Sequence, residues 1–476
     1  MLNRARLFAA ALALSTTPFV VACDDGAESQ TDDITNIANS TVKNQSIGNC
    51  WVYATVGWAE SLRLTHSGEQ LNLSESYVSY FHWYEEIAGA PAGQTRLANL
   101  DKDQISTGGW FGLAAEIMRR YGVMDEGAFI PEEAEAARSS RQSAALSAIN
   151  TSLKSGALKD PAARRDRKLV RQELDKAWGL TPEVSAKLDA VFGADVSKTL
   201  LSTNISLGES GIRFPKDIIV GSKGITLADA IGTPASSFSF LQRKGKYAWN
   251  EVNFPTGDTA RRDFFKKMQG AMHSGMPVIL VWFVDFAAMD SQNRFMEPPA
   301  TPGRQGGHMT VVEDYQISNV PGFGTLEAGT VVTDPKALEA ALSSSATIDF
   351  IRIKNSWGTS LAPSGAAEEF RGFHDLYTKY LNGPLTKCTE SNGDKCGIKT
   401  QAPGLTSMVL PPAAFVTDAL VKEGTCADIC VAGPARQASC DTCTDLICDA
   451  DAFCCNNEWD QVCVDTAKDI CEVSCN

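Results

Sequence analysis

The fourteen cysteines of this 476-residue chain are spaced in a way that few folds accommodate. Cys23 and Cys50 stand alone near the start, residues 51–387 contain none, and twelve follow from Cys388 onward. Ten of those twelve lie in the last 53 residues, with few aliphatic side chains between them to build a core. Such density marks a small domain stapled by disulfides in an oxidising compartment. Cys440 and Cys443 have zinc-ligand spacing, but no nearby histidine completes a mixed site, so bridges are the expectation and no metal is assigned. Cys388 and Cys396 flank a short turn and pair naturally, leaving five bridges for the terminal segment.

Cys23 belongs to a targeting segment. Arg4 and Arg6 supply a basic start, and residues 7–21 form an apolar stretch too short to span a bilayer and suited to a signal sequence. It ends Val20-Val21-Ala22-Cys23, which resembles a bacterial lipobox, in which the cysteine is lipidated after cleavage. The expectation is a signal peptide over 1–22, a flexible tether over 23–39, and a chain exported to the bacterial cell envelope, held on the membrane by its N-terminal lipid, or secreted if the lipobox is not used.

The length predicts about three structural units. A hydrophobic share of 43% and a charged share of 21% are those of an ordinary globular protein. A formal charge of −14 without clustered Lys or Arg argues against nucleic acid as a partner. The last 53 residues carry ten acidic side chains against Arg436 and Lys468. The chain divides into residues 40–423 and a cysteine-rich module over 424–476, for which contact with a surface or another protein is the expected use.

The chemistry lies in the larger unit. Cys50 follows the glycine-containing loop Asn44-Gln45-Ser46-Ile47-Gly48-Asn49 and opens an apolar run, Trp51-Val52-Tyr53-Ala54, long enough in its continuation for a buried helix. A cysteine in the first turn of a helix faces the positive end of the macrodipole, which favours thiolate. Of the five histidines, His66, His82 and His273 fall in helical patterns and read as surface or interface positions. His308 differs: it follows Gly306-Gly307 and starts a β-branched run, where a strand can hold an imidazole over a cleft. The third phrase, Asn355-Ser356-Trp357-Gly358, ends an alternating strand; its asparagine can fix an imidazole tautomer and its tryptophan can shield that bond from water.

Together these phrases resemble the papain-like cysteine peptidases over about residues 40–385. The resemblance implies an α+β fold of two lobes, one helical and one β-barrel-like. It implies Cys50 as nucleophile, His308 as general base and acid, Asn355 as its orienting partner, and Gln45 with the Cys50 N–H in the oxyanion hole. Gly108, Gly109, Met309 and Trp357 would line the site of a peptide or protein substrate. No cofactor is implied. Leu73-Ser74-Glu75, the helix-then-strand pattern over 264–285, and Gly372-Phe373-His374-Asp375-Leu376-Tyr377 extend the match. The absence of cysteine from 51–387, with Ser74-Glu75-Ser76-Tyr77 and Gly108-Gly109-Trp110, is most similar to the bleomycin hydrolase branch.

The chain departs from that pattern in four places. Gln45 precedes Cys50 by five residues rather than six, and the long separation of His308 from Asn355 implies an inserted element around 321–346. No long inhibitory propeptide fits between Cys23 and Gln45. A further insertion over about 130–236 reads as amphipathic helices with charged faces, a helical cap beside the cleft or a regulatory lid. The alternatives to a peptidase are a catalytically silent adhesion protein of the same fold and a transglutaminase-like acyl transferase. The second would place its histidine much closer to the cysteine. A bulky C-terminal module favours endopeptidase over exopeptidase action.

Overall fold

The computed structural model describes residues 34–476 except 35–36, 92–99, 135–137, 140, 237–238, 360, 364–365, 367, 389–390, 393–394, 420–428, 437–441, 452, 457, 472, 474 and 476. The signal segment, Cys23, Cys426 and Cys440 lie outside the described residues. The chain is α+β, with a large mixed sheet and a disulfide-rich C-terminal region.

Three helices come first: α1 (Cys50–Ser67), α2 (Glu75–Ala88) and α3 (Phe111–Tyr121). Ser74 caps α2 by accepting from the Tyr77 N–H, and Gly68 ends α1 in the left-handed region at φ 69°. Apolar residues surround α1 and α2 on nearly every side, so both are buried along most of their length.

The 130–236 insertion contributes α4 (Arg141–Ser155), α5 (Arg167–Trp178) and α6 (Pro182–Phe192), then short strands and turns. Their outer faces are solvated as expected, but their inner faces are not a detached cap. Trp178 packs on Trp83 with ring centroids 4.8 Å apart, and Phe192 meets Phe81 edge-on at 5.2 Å. The insertion therefore shares one core with α1, α2 and α3.

Helix α7 (Asp258–His273) leads into the sheet. Its strands are β1 (Asn250–Asn253), β2 (Ile279–Asp285), β3 (Arg294–Phe295), β4 (Gln305–Val320), β5 (Gly324–Leu326), β6 (Thr347–Lys354), β7 (Phe373–Tyr377) and β8 (Leu405–Leu410). They pair in the order β1, β8, β2, β4, β6, β7, β3, with β5 beside the far end of β4. All pairs are antiparallel except β7 with β3. The insertion between His308 and Asn355 is the far half of β4, its return strand β5 and a helix over Pro335–Ala341. Helix α1 packs on β4, so the helical layer and the sheet meet along the line that carries Cys50 and His308.

The packed body starts earlier than residue 40. Ile34, Ile37, Ala38 and Asn39 are buried, and the Ile34 N–H donates to Asp314 Oδ1. The expected tether therefore ends before Ile34, because two isoleucines find apolar cover against the body.

In the terminal region, α8 (Thr442–Ala450) and α9 (Gln461–Cys471) enclose a small core of Ile447, Trp459, Val464 and Ala467 with Cys454 and Cys463. Arg436 lies over the Trp459 ring at 4.4 Å. Bridges join Cys430 to Cys475, Cys443 to Cys471, Cys448 to Cys455 and Cys454 to Cys463. The expected Cys388–Cys396 bridge is also present.

Candidate active site

Cys50 is the first residue of α1 and the one free cysteine among the described residues. Asn49, before it, gives the helix no side-chain cap, so N–H groups at the helix start point at the thiol without a competing oxygen. Burial pushes the thiol up, opposed by the backbone N–H groups of Met309, Trp51 and Cys50 itself. The Met309 contact ties the nucleophile to the residue following His308.

His308 lies within β4, paired on one side with Trp282 of β2. On the other side, pairing with β6 begins only at Val311 opposite Lys354, and the turn after β6 fills the space. There Asn355 Oδ1 meets His308 Nε2 at 2.7 Å, so the other ring nitrogen, Nδ1, takes no part in that bond. Trp357 stacks on the imidazole at 4.7 Å with an interplanar angle of 19°, which screens the Asn355 bond from water. Burial pushes His308 down to about 4, against the pull of Asn355. Desolvation thus favours the neutral form of both Cys50 and His308.

The Asn355 amide is oriented from both ends. Its Oδ1 also accepts from the Ser356 N–H at 2.8 Å, and its Nδ2 lies 3.3 Å from Nδ1 of His374, a buried residue of β7. This second histidine, with its ring edge-on to Trp357, belongs to the site but was not singled out by sequence reasoning. Its only sequence signal is a histidine in the short strand pattern Phe373-His374-Asp375-Leu376-Tyr377.

Gln45 sits beside this turn. Its N–H donates to the Ser356 carbonyl at 2.8 Å, its Oε1 accepts from Ser356 Oγ at 2.5 Å, and its Nε2 donates to the Ile47 carbonyl at 2.8 Å. One Nε2 hydrogen is therefore left for an oxyanion. The loop carrying Gly108 and Gly109 lies against α1: Trp51 Nε1 donates to the Thr107 carbonyl at 2.8 Å, and a Cβ on Gly109 would come within 2.4 Å of the Trp51 indole. Gly108 faces open space.

A second contact missed by sequence reasoning comes from the insertion. Gln142 of α4 accepts from Asn49 Nδ2 at 3.1 Å and donates to Ser76 Oγ at 3.1 Å, bracing the start of α1. His82 is buried, with Nε2 3.0 Å from the Ser106 carbonyl and its ring edge-on to Trp51; it is not at the surface. His273 is also partly covered, with Nε2 2.5 Å from the Tyr315 hydroxyl. Aromatic neighbours, invisible in a helical pattern, draw both rings inward. Behind Asn355 and Ser356 a cavity is lined by Lys43, Glu60, Glu75 and Lys354. Lys43 Nζ bonds Glu75 and Glu126 there at 3.0 Å each.

Among the described residues no cluster of His, Cys, Asp or Glu has metal-site geometry. Residues 424–475 match a family described as a domain of unknown function (DUF8252). No curated protein matches the chain.

Proposed function

We propose that the chain is an exported cysteine peptidase of papain-like, two-lobed fold, anchored to the bacterial envelope through lipid on Cys23. The observation that carries the reading is the His308–Asn355 pair stacked under the Trp357 ring, with Cys50 at the start of α1 held by the backbone N–H of Met309, the residue after His308. In this reading His308 Nδ1 takes the Cys50 proton as the sulfur attacks the substrate carbonyl. The same proton then goes to the leaving amine as the acyl group passes to a thioester. Water, deprotonated by His308, releases the acid and regenerates the thiol. The Cys50 N–H and the remaining Gln45 hydrogen would hold the oxyanion.

A catalytically silent binding protein is the second reading, favoured by the engagement of Gln45 with Ile47 and Ser356. Labelling of the purified mature chain by an epoxide inhibitor of papain-like enzymes, absent in Cys50→Ala, separates the two. Unlabelled wild type defeats the peptidase reading, and amine incorporation in place of peptide hydrolysis would indicate an acyl transferase. Export is supported by the bridges, which form in oxidising compartments. No described helix is long and apolar enough to cross a membrane.

A further inference from the structure

Gly307 and Met309 flank His308 along β4. Register sets Phe283 opposite Gly307 and Val281 opposite Met309. Farther along the strand a Val311 methyl comes within 3.9 Å of where a Cβ on Gly57 of α1 would sit, and the Met309 N–H reaches the Cys50 sulfur. Because α1 begins at Cys50, β4 runs past the end of the helix on the Gly307 side of Met309. There Phe283 is only half-buried, and Gly307 is exposed with open space where a side chain would be.

Lys387 lies over Phe283, its Nζ 4.6 Å from the centre of the ring. Its backbone is clamped on both sides by Gln305, whose Nε2 donates to the Thr386 carbonyl at 2.7 Å and whose Oε1 accepts from the Cys388 N–H at 2.9 Å. The Cys388–Cys396 bridge closes the same hairpin. Lys387 is half-buried, burial pushes its ammonium pKa down, and no carboxylate among the described residues pairs with it. A partly desolvated cation that no carboxylate among the described residues neutralises carries a cost that an arriving carboxylate offsets.

We propose that Lys387, Phe283 and Gly307 form a subsite for an acidic side chain of the substrate. The methylenes of a glutamate would lie on the Phe283 ring and its carboxylate would meet Nζ, while Gly307 leaves room for the substrate backbone. The assignment rests on the peptidase reading and sharpens it to a substrate class, peptides with glutamate beside the cleaved bond.

The test uses the mature chain with its bridges intact and quenched peptides carrying Glu, Gln, Asp or Lys in turn at each position flanking the cleaved bond. One position is expected to favour Glu over Gln in kcat/KM by about five- to tenfold. Lys387→Met should bring the ratio of Glu to Gln peptide kcat/KM to about one, and Lys387→Glu should turn the preference toward Lys. Epoxide-labelled, active enzyme with no Glu preference, or a preference surviving Lys387→Met, overturns the subsite but not the peptidase. If wild type is not labelled, the peptidase reading falls, and the subsite is read by binding: Cys50→Ala should hold the Glu peptide more tightly than the Gln peptide, and Lys387→Met in that background should equalise them. Equal binding in Cys50→Ala alone overturns it.

Discussion

At the scale of single residues, the sequence marked Cys50, Asn355 and Trp357 as candidates because the first opens α1 and the other two follow the end of β6, and marked His308 by the diglycine before it. A helix-starting cysteine and a strand-ending asparagine are visible in local pattern alone. His374 was not, because its bond to Asn355 exists only once β7 pairs with β6, setting His374 opposite Ile353. The Asn355 amide must present Oδ1 to His308, and a neutral His374 Nδ1 accepting from Nδ2 penalises the flipped amide. His374→Phe is expected to lower kcat about fivefold at unchanged KM, the worth of about 1 kcal/mol for one such bond. It should also loosen the His308 tautomer, read by nitrogen chemical shifts. Unchanged kcat and shifts would remove His374 from the site. Burial lowers His374 to about 4, and His308 acts on it in the same direction, so His374 stays neutral across the working range. His273 gives a separate stability prediction. Burial holds it near 4 in the folded chain, whereas an unfolded histidine titrates near 6.5. Unfolding therefore takes up a proton between those values, so this contribution is complete above pH 6.5 and is lost as pH falls toward 4. Denaturation curves should show wild type losing up to about 3 kcal/mol more than His273→Leu across that window. Parallel curves would contradict the assignment.

Among the elements, helix-then-strand at α7 and β2, the strand β7 and the insertion before Asn355 fell where the sequence placed them. The helices of the larger insertion were also legible as amphipathic, but their destination was not. Charged faces show that a helix has a solvent side; they do not say which core takes the other side. That is decided by aromatic partners such as Trp83 and Phe81, some hundred residues earlier in the chain. The consequence is that α4 reaches the nucleophile. Gln142→Ala would remove one of the two acceptors of the buried Asn49 amide and the donor to Ser76 Oγ, and is expected to cost about 2 kcal/mol in chemical denaturation. It should also slow epoxide labelling of Cys50, because α1 would lose its brace at the first residue. Gln142→Glu keeps the oxygen that Asn49 donates to and should restore part of the labelling rate. A destabilised Gln142→Ala chain that labels at the wild-type rate would make the contact structural only.

On the scale of the whole molecule, one chain combines a reduced thiol with a bridged module, and the two parts are stabilised differently. The body has a large core continuous from α1 through the sheet, and the Cys388–Cys396 bridge closes only a short hairpin in it. Among its described residues the terminal region has only a handful of buried apolar side chains. Its bridges Cys443–Cys471 and Cys430–Cys475 span 28 and 45 residues. Closing loops of that length is worth about 4 kcal/mol each in the chain-entropy account, more than so small a core supplies. The cysteine spacing made this division legible before any coordinates, although the pairing could not be read, since ten cysteines permit many connectivities. Dithiothreitol should therefore expose residues beyond 423 to protease while the body keeps its cooperative unfolding transition and its Cys50 labelling. Intact-mass analysis after limited proteolysis and a thermal melt under the same conditions check both halves of that expectation. A body that melts together with the reduced module would show that the module's bridges support the core, and the division into independently stabilised parts would fail.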